Sequence, residues 1–271
     1  MSPTVEEPGH QDWKGIVTAS YIFTPEGLSA LARYVAPDTL FAFDLDGTLA
    51  PIVEEYSAAQ TSEQVRATLE RLIKVAKVAV ITGRSRKDAL AILAVEPHLL
   101  VGNHGSEWPL QEGRRDWQQV TLCLKWRERL NHLLDYAQGV EIEFKGESVS
   151  LHYRKAEDPE KALSLINAAI EKLEPSPKRI GGKFVVNLLP MEALTKGEAL
   201  VAAMEKFGLK RAIFFGDDVT DEEVFQLKNV DVFGIHIGKD EQTAAPYYLK
   251  KQTALLGLLN SMVGILELHR E

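Results

Sequence analysis

The chain has 271 residues, of which 45% are hydrophobic and 26% are charged, so it can bury one large core or a core and a smaller lobe. Its formal net charge of −8 argues against a nucleic-acid or anionic-membrane partner, because both favour a basic surface. The single cysteine, Cys123, excludes an internal disulfide and a multi-cysteine metal site, and its helical spacing in TLCLKWRERL predicts a buried thiol.

Both ends of the chain carry simple predictions. Residues 1–20 are polar and contain prolines, which predicts a loose arm. There is no signal-peptide pattern and no apolar run long enough to span a bilayer, so we expect a cytoplasmic protein. The most apolar stretch, ALLGLLNSMVGILEL, is interrupted by Asn260 and Ser261 and predicts an amphipathic terminal helix docked on the core.

Strands and helices are predicted to alternate from Thr39 onward. LFAFDLD, KVAVITG and LLVGNHG predict buried strands, and TSEQVRATLERLIKVA and SRKDALAILA predict the helices between them. Thr61 and Gln64 predict a capping box at the start of the first helix. Uninterrupted β-branched runs separated by helices imply a parallel sheet that is covered on both faces.

The pattern changes in the middle of the chain. The polar stretch SEWPLQEGRRDWQQV leads into a helix predicted near residues 121–138, and VEIEFKG and SVSLHYR predict two antiparallel strands. A second helix is predicted to begin at Asp158-Pro159 and to end before EPSPKRIGG, and KFVVNLL predicts one more strand. This order predicts an α+β lobe.

The first pattern then returns. TKGEALVAAMEKFG predicts a helix with a capping box between Thr195 and Glu198, and RAIFFGDD and DVFGIHIG predict strands on either side of a helix in TDEEVFQLKN. We therefore predict an α/β core formed by residues 21–110 and 191–271, with an α+β lobe at residues 111–190 inserted into it.

The stretch FDLDGTLAPI places Asp44 and Asp46 two positions apart at the end of a predicted strand, where their side chains point to the same side. Paired carboxylates repel each other, and a bound divalent cation or a division of chemical roles resolves that conflict. Asp44 is the predicted nucleophile, which forms an aspartyl-phosphate, and Asp46 is the predicted acid/base. Gly47 allows a sharp turn whose backbone N–H groups can hold phosphate oxygens.

The stretch GDDVTDEE supplies three more carboxylates after a later predicted strand. So many acidic groups in one turn indicate a hard cation with oxygen ligands, and Mg²⁺ is the expected ion. We expect Asp44, Asp217 and the backbone carbonyl of Asp46 to coordinate the ion, with Asp218 and Asp221 in support. Charge complementarity at a helix N-terminus is an alternative explanation for Asp221.

Two further signals are weak when taken alone. Thr82, Gly83 and Arg84 can offer a hydroxyl, backbone N–H groups and a guanidinium to a phosphate, or can form an ordinary strand-to-helix turn. Lys196 can neutralise charge on a nucleophile and a phosphoryl group, or can be a solvated lysine. All these groups are predicted at carboxyl ends of parallel strands or at a helix start, which favours one common site.

Together, DLDGTL, TGR, Lys196 and GDDVTDE resemble the four motifs of haloacid dehalogenase-type phosphatases. More narrowly, FDLDGTLAPI, GNHGSEW, EFKGESVSLHYR, GGKFVVNLLP and GDDVTDEEVF are similar to trehalose-6-phosphate phosphatases, in order over about residues 38–240. The resemblance implies a Rossmann-like parallel-sheet core, Mg²⁺ as cofactor, and a mobile cap that closes over the sugar.

The resemblance also implies where a sugar binds. The family's sugar-binding cap residues carry over to Glu143, Lys145, Arg154 and Lys183. Further candidates are Asn103 and His104, which follow the third core strand, and Asn187, where this chain departs from the family. Taken singly, His104 and His152 are of a kind that is more often a hydrogen-bonded structural histidine than a ligand. The family usually has a glutamate and then a basic residue where this chain has Asn187 and Leu189, which bears on the choice of sugar.

The function expected from these motifs is Mg²⁺-dependent hydrolysis of trehalose 6-phosphate. The alternative within the enzyme class is a related phosphatase acting on glucosylglycerol phosphate or sucrose 6-phosphate. An alternative from a different class is a phospho-accepting signalling domain, which needs neither Asp46 nor the inserted lobe. The expected partner is a phosphorylated disaccharide, with no nucleic acid and no membrane, and we expect a monomer.

Overall fold

The computed structural model describes residues 19–53, 58–109, 117–182 and 184–268. In chain order, its strands are β1 (Ser20–Tyr21), β2 (Thr39–Phe43), β3 (Lys77–Ile81), β4 (Leu99–Val101), β5 (Glu141–Phe144), β6 (Val149–His152), β7 (Lys178–Gly182), β8 (Val185–Leu189), β9 (Arg211–Gly216), β10 (Asp231–Ile237) and β11 (Tyr247–Leu249). Its helices are α1 (Pro25–Ala32), α2 (Glu63–Val75), α3 (Arg86–Leu93), α4 (Trp117–Leu133), α5 (Pro159–Ile170), α6 (Lys196–Phe207), α7 (Glu222–Phe225) and α8 (Leu255–Leu268).

The larger sheet is parallel and is covered on both faces. Its strands lie in the order β1-β11-β10-β9-β2-β3-β4, and every neighbouring pair is parallel. On β2, Phe41 and Phe43 pack in one core with α2 and α8, while Leu40 and Ala42 pack in a second core with Leu200 of α6. The alternation of side chains along a strand explains why both faces are apolar. The predicted α/β core is confirmed.

The lobe between β4 and α6 has an antiparallel sheet with the order β5-β6-β8-β7. Helices α4 and α5 pack on one face of this sheet and form a separate apolar core with it. Cys123 is fully buried there, as its spacing predicts. The predicted α+β lobe is therefore confirmed as a fold element, and its limits at residues 111 and 190 stay a prediction.

Strand β7 is the main difference within the lobe. The sequence analysis predicts no strand in KRIGG, which lies between the end of a helix and the strand predicted in KFVVNLL. In the structure these residues pair with β8, in a register that runs from Lys178 opposite Leu189 to Gly182 opposite Val185. Pairing with a neighbour supplies the backbone hydrogen bonds that the local sequence does not favour. The described part of the lobe consequently contains four strands, where three were predicted.

Two element limits also differ from prediction. Ser20 pairs with Tyr247 at the edge of the parallel sheet, so residue 20 belongs to the core and not to an arm. The rest of the predicted arm, residues 1–18, lies outside the described residues. Helix α4 begins at Trp117, where a start near residue 121 was predicted.

The predicted terminal helix is confirmed as α8. One side of it packs into the core through Leu255, Leu258, Leu259, Met262, Val263 and Leu266. Asn260, which interrupts the apolar run, receives a hydrogen bond of 3.1 Å from the Thr68 hydroxyl of α2. Within the described ranges, no helix combines the length and the hydrophobicity that a membrane span requires.

The first predicted capping box is wrong. The N-cap of α2 is Ser62, whose hydroxyl accepts the backbone N–H of Val65 at 3.3 Å. Thr61 is buried instead, and its hydroxyl has no hydrogen-bond partner among the described residues. The helix therefore begins one residue later than the capping box implies.

We expect Ser62→Ala to lower the free energy of unfolding by about 1 kcal/mol, because it removes the side-chain acceptor at the helix start. Thr61→Val should leave the stability unchanged or raise it, since it replaces a buried unpaired hydroxyl with a methyl group. Urea unfolding of both variants measures the difference. A larger loss for Thr61→Val than for Ser62→Ala would contradict the assignment.

Candidate active site

Polar side chains gather at one edge of the parallel sheet. Asp44 directly follows β2, Thr82 follows β3, Asn103 lies just beyond β4, and Asp217 follows β9. These four strands are neighbours in the sheet, so their carboxyl ends lie side by side. Lys196, the first residue of α6, joins them. Ligands of open parallel sheets bind at this edge.

Lys196 lies between two buried carboxylates. Its Nζ donates a hydrogen bond of 2.7 Å to Asp44 Oδ1 and one of 2.8 Å to Asp221 Oδ1. The three side chains are almost fully excluded from solvent. The capping box between Thr195 and Glu198, which the sequence predicts, is present and fixes the first turn of α6.

Asp221 organises the turn after β9. Its Oδ2 accepts the backbone N–H groups of Asp217 and Asp218, both at 3.0 Å, while its Oδ1 accepts from Lys196. Any side chain at Gly216 would clash with it, since a Cβ there would lie 2.3 Å from Asp221 Cγ. Both oxygens of Asp221 are therefore engaged within the protein. The motif predicts Asp221 as a supporting residue of a metal site, but nothing in it predicts that Asp221 holds Lys196 and two backbone N–H groups.

Burial sets the protonation of the site. It raises the pKa of Asp44 to about 7, although the Lys196 ammonium opposes the shift. Burial, together with the charges of Asp44 and Asp221, raises the pKa of Asp217 to about 9. Burial alone would lower the pKa of Lys196, but the two carboxylates outweigh it and hold that pKa above its ordinary value. The site thus lacks positive charge for all its carboxylates.

The donor set fits a divalent cation. Carboxylate oxygens of Asp44, Asp217 and Asp221 lie within 4.8 Å of one another. Asp217 Oδ1 is buried and has no hydrogen-bond partner among the described residues, whereas both Asp221 oxygens are engaged. Asp218 Oδ1 accepts the N–H of Val219 at 2.8 Å. Asp44 and Asp217 are therefore the carboxylates that can offer oxygens to a hard cation.

Gly47 is required by the close approach of two loops. Its φ is +81°, and a Cβ on it would lie 1.9 Å from Asp217 Oδ2. Its N–H donates to the carbonyl of Ala50 at 2.8 Å. In this structure that N–H therefore closes the turn, where the sequence predicts a phosphate contact.

Asp46 and Arg84 form a two-pronged ion pair. Arg84 Nε lies 2.7 Å from Asp46 Oδ2, and its terminal nitrogen lies 2.6 Å from Asp46 Oδ1. The Asp46 side chain is 31% exposed, while that of Arg84 is 4% exposed. Thr82 is buried, and its hydroxyl accepts the N–H of Arg84 at 3.2 Å. Arg84, predicted to bind phosphate, here holds the predicted acid/base.

The lobe reaches the core through Lys145. Its Nζ donates to the carbonyl of Gly83 at 3.3 Å, and its own carbonyl accepts from Asn103 Nδ2 at 3.4 Å. Glu143 lies 3.6 Å from Lys145 Nζ and 2.8 Å from His152 Nε2. Burial lowers the pKa of Lys145. Burial alone would raise the pKa of Glu143, but the hydrogen bond with His152 and the Lys145 charge lower it.

Asn103 and His104 form an unusual turn. Both have left-handed backbones, with φ of +48° and +60°, which few non-glycine residues adopt. Asn103 Oδ1 and His104 Nδ1 are buried without hydrogen-bond partners in the described part of the chain. Burial and the charges of Lys196 and Lys145 lower the pKa of His104 well below its ordinary value. The turn thus holds two neutral polar groups beside the loop after β3.

The other predicted sugar contacts lie in different settings. Asn187 is buried, and its amide accepts from Ser150 at 2.6 Å and donates to Ile180 at 3.5 Å. A hydrogen bond with Asn187 also acts on His104, where it opposes the lowering of the His104 pKa, so Asn187 contacts both the lobe sheet and the core. Arg154 is exposed in the turn after β6. Lys183 lies outside the described residues. The contact between His152 and Glu143 has no sequence signal beyond their places on neighbouring predicted strands.

The raised pKa of Asp217 predicts a pH-dependent stability. The folded protein binds that proton more tightly than the unfolded chain, so the contribution is full below about pH 4 and is lost as the pH rises to about 9. In chelator, Asp217→Asn should therefore raise the free energy of unfolding near pH 9 by about 1–2 kcal/mol. Urea unfolding at several pH values measures this, with Asp218→Asn as the control. An unchanged pH slope in Asp217→Asn would contradict the assignment.

Comparison with known proteins gives the family. Residues 42–253 match the family described as Trehalose-phosphatase. The chain is 32% identical over 199 residues to a trehalose-6-phosphate phosphatase of Escherichia coli (strain K12), which covers 69% of this chain and 72% of that protein. It is 35% identical over 211 residues to a probable trehalose-phosphate phosphatase of Sinorhizobium fredii, which covers 74% of this chain and 78% of that protein.

Solved structures agree with the fold. The C-terminal domain of the C. albicans trehalose-6-phosphate phosphatase has a TM-score of 0.69 at 21% identity, over 91% of this chain and 98% of that one. The sucrose-phosphatase of Synechocystis has a TM-score of 0.56 at 20% identity, over 83% of this chain and 98% of that one. The predicted haloacid dehalogenase-like core with an inserted cap is confirmed. Because the family match spans most of the chain, this protein belongs to the trehalose-phosphatase family, whose members are phosphoric monoester hydrolases.

Proposed function

We propose that the chain hydrolyses trehalose 6-phosphate to trehalose and phosphate, with Mg²⁺ as cofactor and an aspartyl-phosphate as intermediate. The observation that carries the proposal is the buried pair of Asp44 and Lys196 at 2.7 Å, next to Asp217, whose Oδ1 has no partner among the described residues. The family assignment supports hydrolysis of a phosphate ester. The name of the E. coli relative supports the choice of sugar.

The reaction divides between two carboxyl groups. In the first step, a carboxylate oxygen of Asp44 bonds to phosphorus while the bond from phosphorus to the sugar oxygen breaks, and Asp46 donates a proton to that oxygen. In the second step, water attacks the phosphoryl group, Asp46 takes its proton, and Asp44 is released as a carboxylate. Lys196 stabilises the negative charge next to the reacting atoms throughout.

The residues that would hold Mg²⁺ are Asp44, Asp217 and the backbone carbonyl of Asp46, with Asp218 and Asp221 supporting the turn. When bound, the cation neutralises charge on the phosphoryl oxygens. Its binding requires the two buried carboxyl groups to lose their protons, so affinity should rise with pH.

The loop after β3 has two proposed roles: it binds the phosphate and it orients the acid/base. Thr82 and Gly83 would bind phosphate oxygens, and Gly47 would allow the phosphate to approach the turn after β2. Arg84 holds both oxygens of Asp46, so it restricts that side chain to one orientation. Arg84 has further N–H donors, so its two hydrogen bonds to Asp46 do not by themselves exclude a phosphate contact.

The lobe of residues 111–190 is the proposed specificity cap. Glu143 and Lys145 lie where the lobe meets the core, and with Asn103 and His104 they offer alternating acceptors and donors, which suits a polyhydroxylated sugar. Arg154, Lys183 and Asn187 complete the candidate set. A closed cap would keep stray water from the aspartyl-phosphate.

A second substrate is favoured by one observation. Asn187 and Leu189 stand where the resemblance implies a glutamate and a basic residue, and Asn187 is engaged by Ser150, Ile180 and His104. A site without that glutamate discriminates less strictly among sugars. Sucrose 6-phosphate or glucosylglycerol phosphate is therefore the second candidate.

Phosphate release from these three glycoside phosphates and from p-nitrophenyl phosphate tests the function directly. We expect trehalose 6-phosphate to give the highest kcat/KM, loss of activity in EDTA, and recovery with Mg²⁺. Asp217→Asn should raise the Mg²⁺ requirement at least about tenfold, whereas Asp218→Asn should change it little. Full activity in excess chelator would refute the metal assignment, and faster turnover of another glycoside phosphate would refute the choice of sugar.

The two carboxyl roles are separable with leaving groups. Asp44→Asn should abolish turnover of every ester, because no nucleophile remains. In the first step, Asp46→Asn should lose about 10²–10⁴-fold in rate on an alkyl phosphate but far less on p-nitrophenyl phosphate, whose leaving group needs no proton. Burst kinetics with both esters measure the rate of this step. Equal losses of the burst rate on both esters would contradict the role of Asp46 as an acid.

A further inference from the structure

Within the described residues, His152 is the one histidine of the lobe sheet that contacts a residue proposed to bind the sugar. Its Nε2 lies 2.8 Å from Glu143 Oε2, and Lys145 Nζ lies 3.6 Å from the same oxygen. An ionised carboxylate only accepts hydrogen bonds, so His152 Nε2 is the donor. The carboxylate of Glu143 is thus held through one oxygen by two groups.

The other oxygen of Glu143 is available to a ligand. None of the described residues donates a hydrogen bond to Oε1, and the Glu143 side chain is 38% exposed. A glutamate free to rotate loses side-chain entropy when it binds a hydroxyl group, and a fixed one has already lost it. A donor to Oε2 therefore increases the affinity of Oε1 for a ligand that Glu143 contacts.

The register of the sheet explains why His152 reaches Glu143. His152 is directly opposite Glu141, and Glu143 is opposite Ser150, so His152 and Glu143 are diagonal neighbours on one face. Glu141 is taken by Lys155, whose Nζ lies 2.7 Å from its Oε1. Each of the two glutamates of β5 is therefore held by its own partner among the described residues, and the contact of Glu143 with His152 is the one beside Lys145.

We propose that His152 is a positioning residue for sugar recognition: it orients the Glu143 carboxylate so that Oε1 accepts a hydrogen bond from a substrate hydroxyl. The inference rests on the proposed function, because it requires a phosphate ester with a polyhydroxylated leaving group. It assigns no contact between His152 and the reacting atoms.

The test compares two esters. His152→Leu should raise KM for trehalose 6-phosphate about tenfold with kcat changed less than about twofold, and should leave p-nitrophenyl phosphate kinetics unchanged. His152→Gln should restore most of the lost affinity, since its amide can donate from the same place. Lys155→Leu, which removes the neighbouring contact to Glu141, is the matched control and should resemble the parent protein on both esters.

A double-mutant cycle separates positioning from structural damage. In a Glu143→Gln background, His152→Leu should raise KM by less than about twofold, because the group that it orients is already altered. The inference would be overturned if His152→Leu left KM unchanged or lost equally on both esters. It would also be overturned by an additive cycle, or by a His152→Gln variant that binds as weakly as His152→Leu. If the parent protein hydrolyses p-nitrophenyl phosphate but no glycoside phosphate, both the proposed function and this inference fail. Normal parent activity on trehalose 6-phosphate with an unaffected His152→Leu overturns this inference alone.

Discussion

The ammonium group of Lys196 between Asp44 and Asp221 is the interaction on which the rest of the site depends. Lys196 is 152 positions from Asp44 and 25 positions from Asp221 in the sequence. Its two hydrogen bonds therefore fix β2, α6 and the turn after β9 relative to one another. A buried charge without a partner is costly, and removal of Lys196 would leave two such charges at once. Because Asp221 also holds the N–H groups of Asp217 and Asp218, the same lysine indirectly sets the position of the second candidate metal ligand.

Two glycines let the loops come as close as this interaction requires. A Cβ on Gly47 would lie 1.9 Å from a carboxylate oxygen of Asp217, and a Cβ on Gly83 would lie 2.4 Å from the His104 ring. In each case the atom that excludes a side chain belongs to a different strand end. The glycines in the two sequence motifs are therefore explained by contacts through space as well as by the local turn. A larger residue at position 47 would separate the turn after β2 from the turn after β9.

The sequence was informative where local chemistry and sheet geometry agree. Asp44, Thr82 and Asp217 directly follow apolar strand runs, and parallel strands place such residues at one edge whatever the rest of the chain does. Strand β7 could not be predicted, because it depends on pairing with β8. The hydrogen bonds of Asp221 could not be predicted either, because they depend on Lys196 and on the shape of the turn after β9. Ser62 replaced Thr61 as the cap of α2 for a similar reason: Thr61 is drawn into the core, where its N–H bonds to Ile92 at 3.1 Å.

The contacts between the lobe and the core connect recognition to chemistry. Lys145 bonds to the carbonyl of Gly83 in the proposed phosphate loop, and Lys178 of β7 donates to the carbonyl of Ala193, just before the helix that begins with Lys196. Both contacts use main-chain oxygens of the core, so a side-chain substitution in the core leaves the acceptors in place. A sugar that bonds Glu143 or Lys145 would therefore act on a group already joined to the phosphate loop. Closing of the lobe and correct placement of the phosphate would then stabilise each other. An ester without a sugar would have its phosphate placed in the site but would not stabilise the closed lobe.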